Sequence, residues 1–399
     1  MPNDFLKGMK DKAKDLAKGA ADKADGLIDR AEGAARDIVG KVARAFERDK
    51  EVVVYPTYAY RKAGDEGTWV VRLRVWVNKA RRAPVPSSFL APFTSELGHL
   101  TEEQLDRLRE RISAFVADDD SKETVAVSFD QDPEGRTYVL PRATDDNGLV
   151  THELEIPDAS AQAIRAAQGA VDGWLDFTVT AADDYEGKGR ARLVEPEGVS
   201  VISDIDDTIK ITEVPAGKRI LLRNTFLRDY APVEEMKGLY RAYGEDVMFH
   251  YVSGSPWQLH KLLGEFVGSN FPEGAFHMKD VRKNLRSPES WHDFVAFSQG
   301  DEATLIQKKE QIGRILRAFP RRRFILYGDS GEKDPEVFRE MKLLFGEQVS
   351  EIHIRDVVGE SLKPAPNRLD RQDGIKMEVV NRATLEADTV RHGVSRFGD

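Results

Sequence analysis

Two hydrophobic patterns divide the chain. From about residue 51 to 195, apolar positions tend to recur every second residue. Trp69-Val70-Val71-Arg72-Leu73-Arg74-Val75-Trp76-Val77 alternates, and Val52-Val53-Val54-Tyr55 precedes it. That period belongs to strands. Further strands are expected over 124–129, 138–140, 149–156 and 174–180, with Gly, Asp and Pro between them. One helix interrupts them. Thr101-Glu102-Glu103-Gln104 has the form of a capping box, and Leu105, Leu108, Ile112 and Phe115 share one helical face. Residues 51–195 therefore read as a mostly-β domain, a sandwich, in which Arg72 and Arg74 share a strand face with Trp76 that reads as solvated, with binding of anionic head groups as the alternative. Asp183 to Gly189 and Glu195 to Gly198 read as turn and linker.

Beyond residue 196 short apolar runs alternate with helical spacing. Strands are expected over 198–203, 246–252, 276–278, 324–327 and 349–354. Helices are expected to open at Pro232, after Ser255-Pro256, at a capping box of Thr304 and Gln307, and at Asp334-Pro335. Val214-Pro215-Ala216-Gly217-Lys218 suggests a hairpin turn. This alternation implies a parallel sheet with helices on both faces, so the fold class is α/β. The sheet domain is expected to span 196–358, with a polar tail over 359–399.

Residues 1–50 follow neither pattern. Leu16, Ala20, Ala24, Leu27, Ala31, Ala35, Ile38, Val42 and Phe46 step by four, four and three, an amphipathic helix of small residues weakened by glycine. Two uses stay open: insertion into a lipid surface through Phe5, Leu6, Leu27, Ile28 and Phe46, or packing against protein.

Composition narrows the classes. The net charge of −10 argues against bulk nucleic-acid binding, and the absence of cysteine excludes thiolate catalysis and disulfides. No apolar stretch has the length of a membrane span, and the N-terminus lacks a signal-peptide core. A cytoplasmic protein, able to work at a membrane surface, is the expectation.

The candidate chemistry lies where the strand Gly198 to Ser203 runs into Asp204-Ile205-Asp206-Asp207-Thr208. Adjacent carboxylates repel and are stable together when a cation or proton is shared. Hard oxygen ligands suit Mg²⁺. An acidic turn would account for the stretch alone. However, Val252-Ser253-Gly254-Ser255-Pro256, Lys308-Lys309 and Tyr327-Gly328-Asp329-Ser330-Gly331-Glu332-Lys333-Asp334-Pro335 follow in order. This set resembles the haloacid dehalogenase superfamily of aspartate-nucleophile phosphatases. Its finer wording resembles the lipin-related, Mg²⁺-dependent phosphatidate phosphatase family of the fungal actin-patch enzyme, over roughly 198–357.

The resemblance implies a Rossmann-like catalytic domain and a role for each matching residue. Asp204 would be the nucleophile and Asp206 the acid and base. Mg²⁺ would be held by Asp204, the Asp206 carbonyl and Asp329, with Asp334 in support. Ser253, Gly254 and a lysine would bind the phosphoryl group. Lys308 fits the family spacing and Lys309 is its rival. Thr208 would shape the loop. Independently of the resemblance, the basic cluster containing Lys279 and Arg282 would suit an acidic head group or form a solvated surface patch. The implied substrate is phosphatidate at a membrane; a soluble phosphomonoester, or phosphatidate binding without turnover, are the alternatives.

Overall fold

The computed structural model describes residues 50–79, 100–116, 118–181, 184–280, 302–359 and 375–380. Residues 1–49 of the helix expected over 1–50, Arg282, and most of the tail expected over 359–399 lie outside the described residues, and Lys50 opens a strand.

The first half builds one hydrogen-bonded sheet from β1 (Lys50–Val54), β2 (Thr57–Lys62), β3 (Asp65–Lys79), β4 (Asp118–Asp119), β5 (Val125–Phe129), β6 (Thr137–Val139), β7 (Leu149–Pro157), β8 (Trp174–Ala181) and β9 (Tyr185–Leu193). Helix α1 (Glu102–Val116) and helix α2 (Asp158–Gln168) are inserted in it. β3 is the spine: its length lets β1 and β2 pair along one edge while β7 pairs along the other. Its inward residues Trp69, Val71, Leu73, Val75 and Val77 share a core with Val125, Val127, Leu175, Phe177 and Val179 from strands far along the sheet order. The expected sandwich is thus a single sheet folded over its own core.

The segment around Gly187 and Gly189, read above as a turn, is strand β9. A Cβ at Gly187 would collide with the Val52 carbonyl, and one at Gly189 with the Phe177 ring. Glycine stands there because neighbouring strands approach closely. Arg74 also departs from expectation. It lies over the Tyr55 ring at 5.3 Å and pairs with Asp280 of the second half, so its face is an interface rather than a solvated surface.

The second half forms a six-stranded, all-parallel sheet: β10 (Val199–Ser203), β11 (Met248–Pro256), β12 (Gly274–Lys279), β13 (Arg323–Asp329), β14 (Val349–Arg355) and β15 (Glu378–Val380). Its order is β12-β11-β10-β13-β14-β15. The helices are α3 (Lys218–Phe226), α4 (Glu234–Arg241), α5 (His260–Asn270), α6 (Glu302–Ala318) and α7 (Asp334–Phe345). Alternate strand residues feed two cores. Val201, Phe249, Tyr251 and Ile325 face α4 and α5, whereas Ile202, Met248, Val252 and Leu326 face α6 and α7. Burial on both faces is what a parallel sheet requires. β15 comes from the segment expected as tail, and Met377 and Val380 are buried. Winding reverses between β10 and β13, and in such sheets ligands bind in the crevice beyond that point.

Local signals mislead where tertiary contacts compete. The Thr101 and Gln104 capping box forms as expected: the Gln104 amide donates to Thr101 Oγ1 (3.2 Å) and the Thr101 amide to Gln104 Oε1 (3.1 Å). Thr304 instead lies inside α6 and accepts a bond from the Lys279 ammonium. The expected hairpin at Val214 is a 3₁₀ turn, Val214–Ala216, leading into α3. Pro232 lies two residues before α4. Asp334 is the first residue of α7 and turns its carboxylate toward the β13 end, where its Oδ2 accepts the Asp329 amide (3.2 Å).

The two halves are joined through buried groups. The Tyr55 hydroxyl donates to the Trp257 carbonyl (3.0 Å) and the Phe276 amide to the Pro56 carbonyl (3.1 Å). Tyr58 packs against His250, His277 and Phe319.

Candidate active site

β10 ends at Ser203, so Asp204 leaves the carboxyl edge of the sheet at the switch point, and its amide donates to the Tyr327 carbonyl of β13 (2.9 Å). The neighbouring β13 ends in Asp329. Gly328 precedes it because a Cβ there would strike the Asp334 carboxylate. Asp204, Asp329, Glu332 and Asp334 converge, and Asp204, Glu332 and Asp334 offer oxygens all within 4.8 Å of one another. The Lys308 ammonium reaches all three, at 2.9 Å from Asp204 Oδ1, 3.4 Å from Glu332 Oε2, and in contact with Asp334. Lys309 points elsewhere and pairs with Glu340.

Four carboxylates around one lysine leave an excess of negative charge. Burial, opposed by Lys308 and reinforced by Asp334, Glu332 and Asp329, pushes the Asp204 carboxyl well above its ordinary range. Asp329 is raised likewise by burial and by Asp334 and Glu332. Burial, against Lys308 and with Asp334, pushes Glu332 up to about 7. Burial opposes the charge on Lys308, yet Asp204, Asp334 and Glu332 hold its pKa well above the usual lysine value. Asp204 Oδ2 and Asp329 Oδ2 are buried with no hydrogen-bond partner among the described residues. Their remaining oxygens are used: Asp329 Oδ1 accepts the amides of Gly331 (2.7 Å) and Glu332 (3.1 Å). Hard, unshared oxygens in surplus fit a cation such as Mg²⁺.

Asp206 lies in different surroundings. Its Oδ1 accepts from Lys210 Nζ (2.6 Å) and Thr212 Oγ1 (2.7 Å), and its Oδ2 from Ser255 Oγ (2.9 Å) and more distantly Ser253 Oγ (3.4 Å). Burial opposes its charge, but Lys210 and these bonds hold its carboxyl below the ordinary value. The next residue, Asp207, takes a left-handed backbone (φ 55°). Its carboxylate accepts the amides of Thr212, Glu213 and Val214 at 2.6–2.8 Å, which pins the following loop. Thr208 is fully buried and its hydroxyl has no partner among the described residues.

Ser253 and Gly254 stand at the end of β11. A Cβ on Gly254 would lie 3.2 Å from the Thr304 methyl, and Thr304 accepts from the buried Lys279 ammonium, so Lys279 adjoins the turn at Ser253 and Gly254. Sequence reasoning missed Glu332, Lys210, Thr212 and Ser255. The first could have been found as the carboxylate three places after Asp329. The other three become visible only when the loops fold together. Asp206, Gly254, Ser255 and Glu332 form the polar side of a narrow cleft whose other walls include Val214, Leu221, Leu222 and Leu259.

Residues 199–356 match the family described as phosphatidate phosphatase APP1, catalytic domain. In this segment the chain resembles that phosphatase family. The match begins with β10 and ends just after β14, so it spans every strand end described above. Phosphatidate phosphatase APP1 of Saccharomyces cerevisiae is 29% identical over 280 residues, covering 69% of this chain and 45% of the yeast protein. An uncharacterized protein of Schizosaccharomyces pombe is 30% identical over 176 residues, 42% of this chain and 27% of that one. The chain thus spans less than half the length of these relatives. These likenesses support an enzyme of the phosphatase class. Among the described residues, no helix is long and apolar enough to cross a membrane.

Proposed function

We propose that this protein is a Mg²⁺-dependent phosphatase of the haloacid dehalogenase type, acting from the cytoplasm on phosphatidate at a membrane surface. The observation that carries the reading is the position of Asp204: it lies at the switch point, with one oxygen on Lys308 and the other without a partner among the described residues. Mg²⁺ would be held by Asp204, the Asp206 carbonyl and Asp329, with Asp334 and Glu332 beside them. It would supply charge neutralisation for phosphoryl oxygens.

Asp204 attacks phosphorus in line, and the bond from phosphorus to the ester oxygen breaks. Asp206 delivers a proton to that oxygen. In the second step it takes a proton from water, whose oxygen attacks phosphorus and releases Asp204. The resting Asp206 is a carboxylate, so the first proton arrives with the monoanionic form of the ester, whose second pKa is about 6. Lys308, Ser253 and the Gly254 amide bind the phosphoryl oxygens. Lys279, whose buried ammonium donates to Thr304 beside Gly254, would add positive charge near the phosphoryl group.

The test is phosphate release with Mg²⁺ or EDTA, from phosphatidate in mixed micelles and from a soluble phosphomonoester. The expected result is Mg²⁺-dependent release from the lipid, well above the soluble ester. Turnover of the soluble ester alone would retain the chemistry and discard the lipid. Liposome binding without any release would make the protein a phosphatidate-binding module.

A further inference from the structure

Tyr230 connects a helix of the first half to Asp206. Two cations lie over its ring: the Arg111 guanidinium at 4.2 Å from the centroid and Lys210 Nζ at 4.7 Å. Arg111 comes from α1, where its Nη1 donates to the carbonyls of Thr225 (2.7 Å) and Arg228 (2.6 Å). One turn earlier Arg107 donates to the Leu227 carbonyl (3.0 Å). The Tyr230 hydroxyl donates to the Thr225 carbonyl (3.2 Å). The ring is fixed to Lys210 through the backbone as well: the Ile211 amide donates to the Ala231 carbonyl and the Val233 amide to the Ile209 carbonyl.

Lys210 is 2% exposed. An ammonium removed from water needs a partner for each of its three protons. Asp206 Oδ1 and Thr212 Oγ1, each at 2.6 Å, take two, and the negative face of the Tyr230 ring meets the remaining charge. Lys210 and Thr212 thereby occupy Asp206 Oδ1 and leave Oδ2 toward Ser255 and the cleft.

We propose that Arg111 and Tyr230 are positioning residues that act through Lys210 to fix the orientation of the Asp206 carboxylate. Helix α1 then belongs to the framework of a site to which it contributes no reacting atom. The inference rests on the reading of Asp206 as acid and base.

Steady-state kinetics of the full chain with Mg²⁺ test it. Tyr230→Phe keeps the ring and should stay within about twofold of wild type. Tyr230→Leu should lower kcat about tenfold with KM nearly unchanged, and Arg111→Met about threefold. In a Lys210→Met background, Tyr230→Leu should cost nothing more, because its path is already cut. Independent losses in that double variant, or equal kcat losses for the Phe and Leu variants, would overturn the relay while leaving the phosphatase reading intact. If Asp206→Asn keeps the wild-type rate, the reading of Asp206 fails, and crystal structures of the two Tyr230 variants decide the relay alone. The contact between Lys210 and Asp206 should persist in Tyr230→Phe and break in Tyr230→Leu. Its survival at 2.6 Å in both would contradict the proposal.

Discussion

Asp204 and Asp206 are two residues apart and both buried, yet their surroundings are opposite. Around Asp204, two further carboxylates share Lys308 and Asp329 adds a third nearby, and two carboxylate oxygens lack partners among the described residues. Around Asp206, Lys210, Thr212 and two serines meet both oxygens. Environment therefore pushes the Asp204 carboxyl up and holds that of Asp206 down. One side has surplus negative charge that a cation and a phosphoryl group would complement. The other is complete and holds one carboxylate in one orientation. A pair of like residues driven apart in this way is a common route to a division of chemical labour.

The largest expected effect tests the unfinished side. Asp204→Asn should lower kcat by about 10³-fold or more while the circular dichroism spectrum stays that of the wild type. A near-normal rate would remove Asp204 from the chemistry. Asp206→Asn should cost about 10²–10³-fold in kcat, less than Asp204→Asn because the nucleophile remains. A larger loss than for Asp204→Asn would reverse the order of the comparison.

Stability without metal sharpens it further. Glu332 has a folded pKa of about 7 against an unfolded value near 4.5, so the folded state binds more protons between these values. Its charge thus penalises folding increasingly as pH rises from about 4.5 to 7, and the penalty disappears below that window. In EDTA at pH 8, Glu332→Gln should be more stable than wild type by about 2–3 kcal/mol, with the difference vanishing near pH 4. Mg²⁺ should reverse the sign by stabilising wild type more. Denaturant melts at the two pH values check this, and a variant less stable than wild type in EDTA would contradict the account of surplus charge. The smallest effect lies outside both sides. Thr101→Ala removes a formed capping bond and should cost about 1 kcal/mol in thermal or urea melts. A loss of kcat in that variant, at a temperature where it is folded, would instead couple the start of α1 to the site.

The strands that place the site were legible because their apolar runs are long and end in Asp204, Ser253 and Asp329. Those signals survive any packing, since a strand end carries its next residue to the sheet edge. The Thr101 capping box was legible for a related reason, as both partners lie within one turn. Thr304 carries the same local signal, but the longer-range partner Lys279 claims its hydroxyl. Strand β9 was missed because Gly187 and Gly189 look like a turn, and only the neighbouring Val52 and Phe177 explain them. Lys210 carries no signal of its own. Its role exists once the 209–211 backbone pairs with 231–233 and brings Tyr230 to it.

The most direct test of the central claim is a covalent trap at Asp204. Enzyme with Mg²⁺ and phosphorus-labelled substrate is quenched in acid within a single turnover, digested and mapped by mass spectrometry. An aspartyl-phosphate mechanism leaves an acid-stable, hydroxylamine-labile phosphate on the peptide carrying Asp204, absent from Asp204→Asn. Full turnover with no label there, or label on another residue that survives Asp204→Asn, would contradict it.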